Sequence, residues 1–308
     1  MTFDILDINA EIGKWDWSRE PKGLYEPIGY ALAAGGKRIR PRLAILGSRV
    51  FGGKEEDVLP AALALEVFHN FTLLHDDVMD KASVRRGRPT VHVKWNENTA
   101  ILSGDQMLIE AYKLLSRVPK AKLPEVLRLF NKMATEVCEG QQYDVDFEAR
   151  EDVTIAEYME MIRLKTSVLL ATALQIGAYI AGAGNVQQQA LYDFGINIGL
   201  AFQIQDDLLD CFGDPETFGK AIGGDIREGK KTFMWLTARN KAGKGWTTTG
   251  KDLPQVLHEY EELGVRKAAE EEIVKLTKKA LQCLEPIGES AAKHELSALA
   301  QKLTNRTK

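Results

Sequence analysis

Two copies of one pattern hold the chemistry of this chain. Each is an aspartate pair followed three residues later by a third: Asp76-Asp77-Val78-Met79-Asp80 and Asp206-Asp207-Leu208-Leu209-Asp210. Residues four apart share a face of an α-helix, so Asp76 with Asp80 and Asp206 with Asp210 form two carboxylate claws. Like charges stacked in this way destabilise a helix, and burying uncompensated carboxylates costs far more, so cations between the claws would relieve both problems. Magnesium takes one or two carboxylates and completes its shell with water and phosphate oxygens, so two facing claws imply a diphosphate between them. One such motif reads equally well as a solvated acidic helix end. A second copy, with apolar residues before each (Leu73-Leu74; Phe202 and Ile204) and basic residues after, argues against that reading.

The basic residues are arranged to match. Arg85-Arg86-Gly87-Arg88-Pro89 follows the first claw, where arginines serve either as an ion-pair network or as bidentate phosphate grips. Upstream, Gly35-Gly36-Lys37-Arg38-Ile39-Arg40-Pro41 sets Lys37 and Arg40 in a glycine-rich turn that opens a helix, where amides and the helix dipole favour anions. His69 lies seven residues before Asp76, nearly two helical turns, and so points to the claw's side. After the second claw come Phe218-Gly219-Lys220 and the run Gly223 to Thr232 with Lys230 and Lys231, cations able to neutralise a leaving diphosphate. Lys165-Thr166, between two helical stretches, offers a further ammonium and a hydroxyl.

Apolar residues recur at helical spacing almost throughout, and alternating β-branched runs bounded by hairpin turns are missing, so the class is all-α. The pattern predicts helices over 25–34, 39–51, 54–80, 96–116, 124–147, 155–163, 165–183, 186–212 and 232–239, with three more between Pro254 and Leu303. The long helices 54–80 and 186–212 carry the claws, which suits a large helical bundle around a deep central cavity. Glycine and proline breaks separate the helices, and Asn240 to Lys251 reads as a mobile surface loop. No compositional shift or solenoid-length repeat divides the 308 residues, so one domain is expected. A net charge of −4 without basic stripes excludes a nucleic-acid binder. Three scattered cysteines, Cys138, Cys211 and Cys283, argue against disulfides or a zinc site and for a reducing, cytoplasmic address. The N-terminal residues lack a secretory pattern, and the apolar stretch Ser167 to Gly184 reads as a buried core helix, so no integral membrane segment is expected.

The ordered set GGKRIRP, LLHDDVMD, RRGRPT, LKTSVLL, FQIQDDLLD, FGK and GGDIREGKKT, from Tyr25 to Thr232, resembles the trans-prenyltransferases, the (all-E)-isoprenyl diphosphate synthases. The resemblance implies condensation of isopentenyl diphosphate with an allylic prenyl diphosphate, with three magnesium ions bridging the aspartate motifs to the allylic diphosphate. It makes Asp76, Asp77, Asp80, Asp206 and Asp210 metal-facing, with Asp207 beside them. Arg85, Lys165, Lys220 and Lys230 are similar to residues gripping the allylic diphosphate; Lys37, Arg40, His69 and Arg86 match those holding isopentenyl diphosphate. Thr166 and Gln203 resemble the polar pair near the reacting carbons, and Gln141 and Asp144 match a supporting motif. A homodimer is implied by the same analogy.

The growing hydrocarbon is expected along the helix ending in Asp76, with Phe71 and Thr72 at its floor and Phe68 a turn lower. By resemblance, a bulky residue five before the first aspartate and a small one four before it mark short-chain enzymes making farnesyl or geranylgeranyl diphosphate. Phe71 reads equally well as a core phenylalanine. Longer-chain synthases, a terpene cyclase and a silent regulatory subunit are the alternatives. The second all-aspartate motif and the Lys37–Arg40 turn argue against a cyclase, and the retained aspartates and lysines argue against a silent subunit.

Overall fold

The structure, a computed structural model, describes residues 8–213 and 222–304. Its helices are α1 (Ile8–Gly13), α2 (Lys22–Leu32), α3 (Ile39–Arg49), α4 (Glu55–Met79), α5 (Val91–Lys94), α6 (Glu97–Leu115), α7 (Leu123–Ala149), α8 (Ile155–Ile162), α9 (Val168–Ile180) and α10 (Asn185–Phe212). They continue as α11 (Gly224–Glu228), α12 (Phe233–Ala242), α13 (Leu253–Glu262), α14 (Val265–Cys283) and α15 (Ala291–Thr304). The described sheet is a two-residue hairpin, β1 (Val84–Arg85) with β2 (Arg88–Pro89). The all-α expectation is therefore met.

Local chemistry sets the ends of these helices. Asn96 opens α6 by accepting the Thr99 amide at 2.8 Å. Reciprocal capping boxes open α8 (Thr154 with Glu157) and α13 (Asp252 with Gln255). Three acidic residues in the first turn of α4, Glu55, Glu56 and Asp57, complement the helix dipole.

The chain divides into two compact units: Met1–Leu129 with Ala173–Gly184, and Phe130–Thr172 with Asn185–Lys308. In the first, α4 packs against α3 and α6, burying Val58, Leu65 and Phe68. In the second, α10 packs against α14 around Phe147, Ile204, Leu208, Met234 and Tyr260. Helix α4 alone among the described helices is long and apolar enough to cross a membrane, and 61% of its most apolar window is buried within the protein.

Three expectations change. The stretch from Lys165 begins not as α-helix but as a π turn, Arg163–Ser167, which joins α8 to α9 without a break. The hairpin at 84–89 is absent from the helical reading because its strands are too short for an alternating pattern; Arg86 and Gly87, with φ of 52° and 73°, make its tight two-residue turn. The loop after α12 is pinned rather than loose. The Trp246 ring lies 6.2 Å from that of Trp235 and 5.7 Å from that of Tyr260, and Glu259 accepts from both Trp246 Nε1 and Lys251 Nζ at 2.6 Å. The cysteines are free, as expected, although Cys138 is exposed rather than packed.

Candidate active site

In the first unit, the last turn of α4 presents the first motif. Asp76 is half-buried, Asp80 is exposed at the helix end, and Asp77 is buried. The hairpin delivers Arg85 to Asp77, whose Oδ1 accepts Arg85 Nε–H at 2.8 Å. Burial pushes the Asp77 carboxyl up, and the Arg85 guanidinium opposes that rise. At the hairpin tip, Arg86 donates to the Gly35 carbonyl of the glycine-rich turn. Arg38, left-handed at φ 47°, is buried in an ion pair with Glu66 of α4 at 2.6 Å and also donates to the Leu32 carbonyl at 2.6 Å and Asn9 Oδ1 at 3.0 Å.

This framework gathers cations that the sequence keeps far apart. Burial first, and then Arg40, Arg86, Arg85 and Arg38, hold His69 well below the usual histidine range, so it is neutral. Burial lowers Arg40 to about 10, and its Nε is buried with no hydrogen-bond partner. A half-buried cluster of guanidiniums around a neutral imidazole suits a multivalent oxyanion. Lys37 is exposed in the adjoining turn. A pocket of about 30 Å³ opens beside Arg85, Arg86 and Asp77. On the same helix, the Phe71 ring lies 5.5 Å from that of Phe68 and 4.8 Å from that of His75, and Thr72 Oγ1 donates to the His69 carbonyl at 2.9 Å.

In the second unit, a polar cavity of about 130 Å³ is lined by residues of α7, α8, the π turn, α10 and the segment around α11. The π turn contributes Lys165 and Thr166. Lys165 Nζ donates to Asp144 Oδ2 at 2.6 Å, and Thr166 Oγ1 donates to Gln203 Oε1 at 3.2 Å. Asp207 is buried and accepts from the Tyr158 hydroxyl, the Phe233 amide at 3.2 Å and Gln203 Nε2 at 3.4 Å. Burial, then the Asp225 charge, pushes its carboxyl well above the usual range. Asp210 accepts the Gly224 and Asp225 amides at 3.2 and 3.1 Å, which anchors the start of α11. Lys230 lines the cavity and pairs with Glu228 at 2.9 Å. Lys220 lies outside the described residues.

The structure thus brings Lys165, Thr166, Gln203, Asp207 and Lys230 to one cavity, and Arg40, His69, Arg85 and Arg86 to one cluster. The sequence reading missed Tyr158 and Asp225, both on the cavity wall, and the Arg38–Glu66 pair. Tyr158 stands seven residues before Lys165 and on its face, a spacing that could have found it. Asp77 lies in phase with the buried Asn70 and Leu74, so the helical period also marked it as the inward aspartate.

The aspartate motifs supply oxygen donors alone, the set that magnesium prefers. Among the described residues no group of three or more His, Cys, Asp or Glu side chains converges as a closed metal cage.

A family model described as polyprenyl synthetase matches residues 21–270. The chain is 46% identical to a geranylgeranyl diphosphate synthase of Methanosarcina mazei, over 73% of this chain and 70% of that protein. A crystal structure of a geranylgeranyl pyrophosphate synthase superposes with a TM-score of 0.90 at 45% identity, covering 97% of this chain and 96% of the other. A geranylgeranyl pyrophosphate synthase from Corynebacterium glutamicum, solved in complex with isoprenyl diphosphate and magnesium, has a TM-score of 0.83 at 32% identity, covering 91% and 90%.

Proposed function

The chain is a trans-prenyltransferase of the short-chain type and belongs to the polyprenyl synthetase family; from that premise we propose that it joins isopentenyl diphosphate head to tail to an allylic prenyl diphosphate. The product is a linear all-trans chain, farnesyl or geranylgeranyl diphosphate. The observation that carries the reading is the presence of two separate cationic clusters, which suits a reaction with two diphosphate substrates. Arg40, His69 and Arg86, with Lys37 beside them, hold isopentenyl diphosphate, and Lys165 and Lys230 hold the allylic partner; Arg85, which stands in the first cluster, is assigned to the allylic diphosphate by the resemblance alone.

The allylic C–O bond ionises as cationic side chains stabilise charge gathering on the departing diphosphate. The isopentenyl double bond attacks the resulting cation, and the new cation loses a proton to the released diphosphate. Thr166 and Gln203, hydrogen-bonded to each other on the cavity wall, orient the reacting carbons, while Met161 and Ile162 on the same wall exclude water that would quench the cation. Holding both substrates together replaces an encounter with a unimolecular step. Magnesium, held by Asp76, Asp80, Asp206 and Asp210 when bound, supplies Lewis-acid neutralisation of the diphosphate.

A single family match over residues 21–270 supports reading the chain as one synthase domain. Ile101, Leu102, Ile109 and Tyr112, exposed along α6, support a homodimer, which light scattering tests. Purified protein incubated with Mg²⁺, isopentenyl diphosphate and each allylic primer gives elongated prenyl diphosphate by mass spectrometry. A cyclic hydrocarbon would make it a cyclase, and no product with any primer would make it a silent subunit.

A further inference from the structure

Two glycines flank the π turn that presents Lys165 and Thr166, and both lie closer to it than any side chain allows. A Cβ on Gly140 of α7 would sit 2.3 Å from the Lys165 amide nitrogen and 2.7 Å from the Leu164 carbonyl carbon. A Cβ on Gly199 of α10 would sit 2.6 Å from the Cα of Ser167. These are backbone contacts, so no rotamer change relieves them. The π turn is therefore held between two helix backbones, with the Val168 amide bonding back to the Arg163 carbonyl across its widened ring.

One helical turn beyond each glycine stands the residue that engages a π-turn side chain. Asp144 follows Gly140 by four and accepts from Lys165; Gln203 follows Gly199 by four and accepts from Thr166. Each flanking helix thus supplies a close backbone contact and then a polar partner on the same face. Moving the backbone contact moves the polar partner with it.

We propose that Gly140 and Gly199 are positioning residues: Gly140 sets where Lys165 meets the allylic diphosphate, and Gly199 sets where Thr166 and Gln203 stand beside the reacting carbons. The proposal rests on the prenyl-transfer reading above. Gly195, one turn before Gly199, provides an internal control. A Cβ there would lie 2.4 Å from the Ala171 Cα, an equally tight contact, but Ala171 lines no part of the cavity.

The test is steady-state kinetics and thermal unfolding of Gly140→Ala, Gly199→Ala and Gly195→Ala, with all products counted. Gly140→Ala raises KM for the allylic substrate about tenfold with a smaller change in kcat. Gly199→Ala lowers kcat by about a hundredfold at nearly constant KM, the scale expected for a misplacement of about 1 Å. Gly199→Ala also raises the share of allylic alcohol formed when water captures a cation that is not attacked in time. Gly195→Ala lowers the melting temperature but leaves the kinetics of the folded fraction unchanged. Should an alanine variant fold too poorly to assay, Ser167→Thr presses on the Gly199 contact more gently and lowers kcat several-fold at constant KM. Losses at Gly140 and Gly199 that merely follow the folded fraction, or an unchanged kcat in Ser167→Thr, overturn the proposal. A native chain that elongates no primer overturns the prenyl-transfer reading instead.

Discussion

Arg85 donates its Nε–H to Asp77 Oδ1 at 2.8 Å, committing the second aspartate of the first motif to a protein partner. The second motif repeats the arrangement: Asp207, its second aspartate, is buried and held by Tyr158, the Phe233 amide and Gln203. Metal affinity is therefore expected to depend more on the outer aspartates. In Mn²⁺ titrations followed by electron paramagnetic resonance, Asp76→Asn weakens binding about tenfold more than Asp77→Asn does. Equal losses would show that Asp77 leaves Arg85 to bind the ion.

Tyr158→Phe deletes the hydroxyl donor to Asp207 and leaves a buried carboxyl under-satisfied. The expected loss is about 1–3 kcal/mol of unfolding free energy, read from urea denaturation. A variant as stable as the parent would mean that Asp207 has found another donor.

The Arg38–Glu66 pair is almost fully enclosed, with side chains 5% and 3% exposed. Arg38→Met removes the ion-pair partner of Glu66, which keeps Asn70 as a hydrogen-bond donor at 3.1 Å, and costs up to about 3–5 kcal/mol, whereas Arg38→Met with Glu66→Leu recovers most of that loss. Denaturation of the two variants side by side distinguishes a stranded charge from simple loss of packing.

His69 gives the fold a pH dependence of known sign. Burial and four arginines depress its pKa in the folded protein, while the unfolded chain takes up the proton near pH 6.5. Stability from this group is complete above about pH 6.5 and falls as acidification proceeds toward the depressed folded value. His69→Gln should flatten the decline between about pH 7 and pH 5.5 in denaturant titrations. A slope identical to the parent's would assign the acid sensitivity to other groups.

Phe71 and Phe68 are ring neighbours on one face of α4, below the first motif. Replacing both with alanine lengthens the product, measured by mass spectrometry of the dephosphorylated alcohols. Unchanged length with retained activity would make both rings ordinary core residues.

Helix periods made the long helices readable in the sequence and carboxylate spacing the two aspartate motifs, whereas Lys165 and Thr166 took their roles from the resemblance. The π turn was not readable, because Arg-Leu-Lys-Thr-Ser has ordinary helical propensity; its widened ring lies against Gly140 and Gly199, residues remote in sequence. The resemblance grouped Arg40, His69 and Arg86, but residue spacing alone hid their clustering, and with it Arg38 and Arg85, for a related reason. The clustering depends on an Arg-Gly hairpin tip that lacks the usual Asn-Gly or Asp-Gly signal. Asp210 looked like a bare claw member, but its amide partners come from a short helix fourteen and fifteen residues downstream.

Helix α4 strings together Glu66, His69, Phe71 and the first aspartate motif within a few turns. Adding or removing one residue between Glu66 and Asp76 would swing everything on one side by about 100° relative to the other. The buried Glu66 ion pair, the His69 imidazole among its arginines and the Phe71 ring would then fall out of register with the aspartates together. A one-residue insertion or deletion between Glu66 and Asp76 is therefore expected to cost stability and activity at once, where a side-chain exchange at one position would cost one of them.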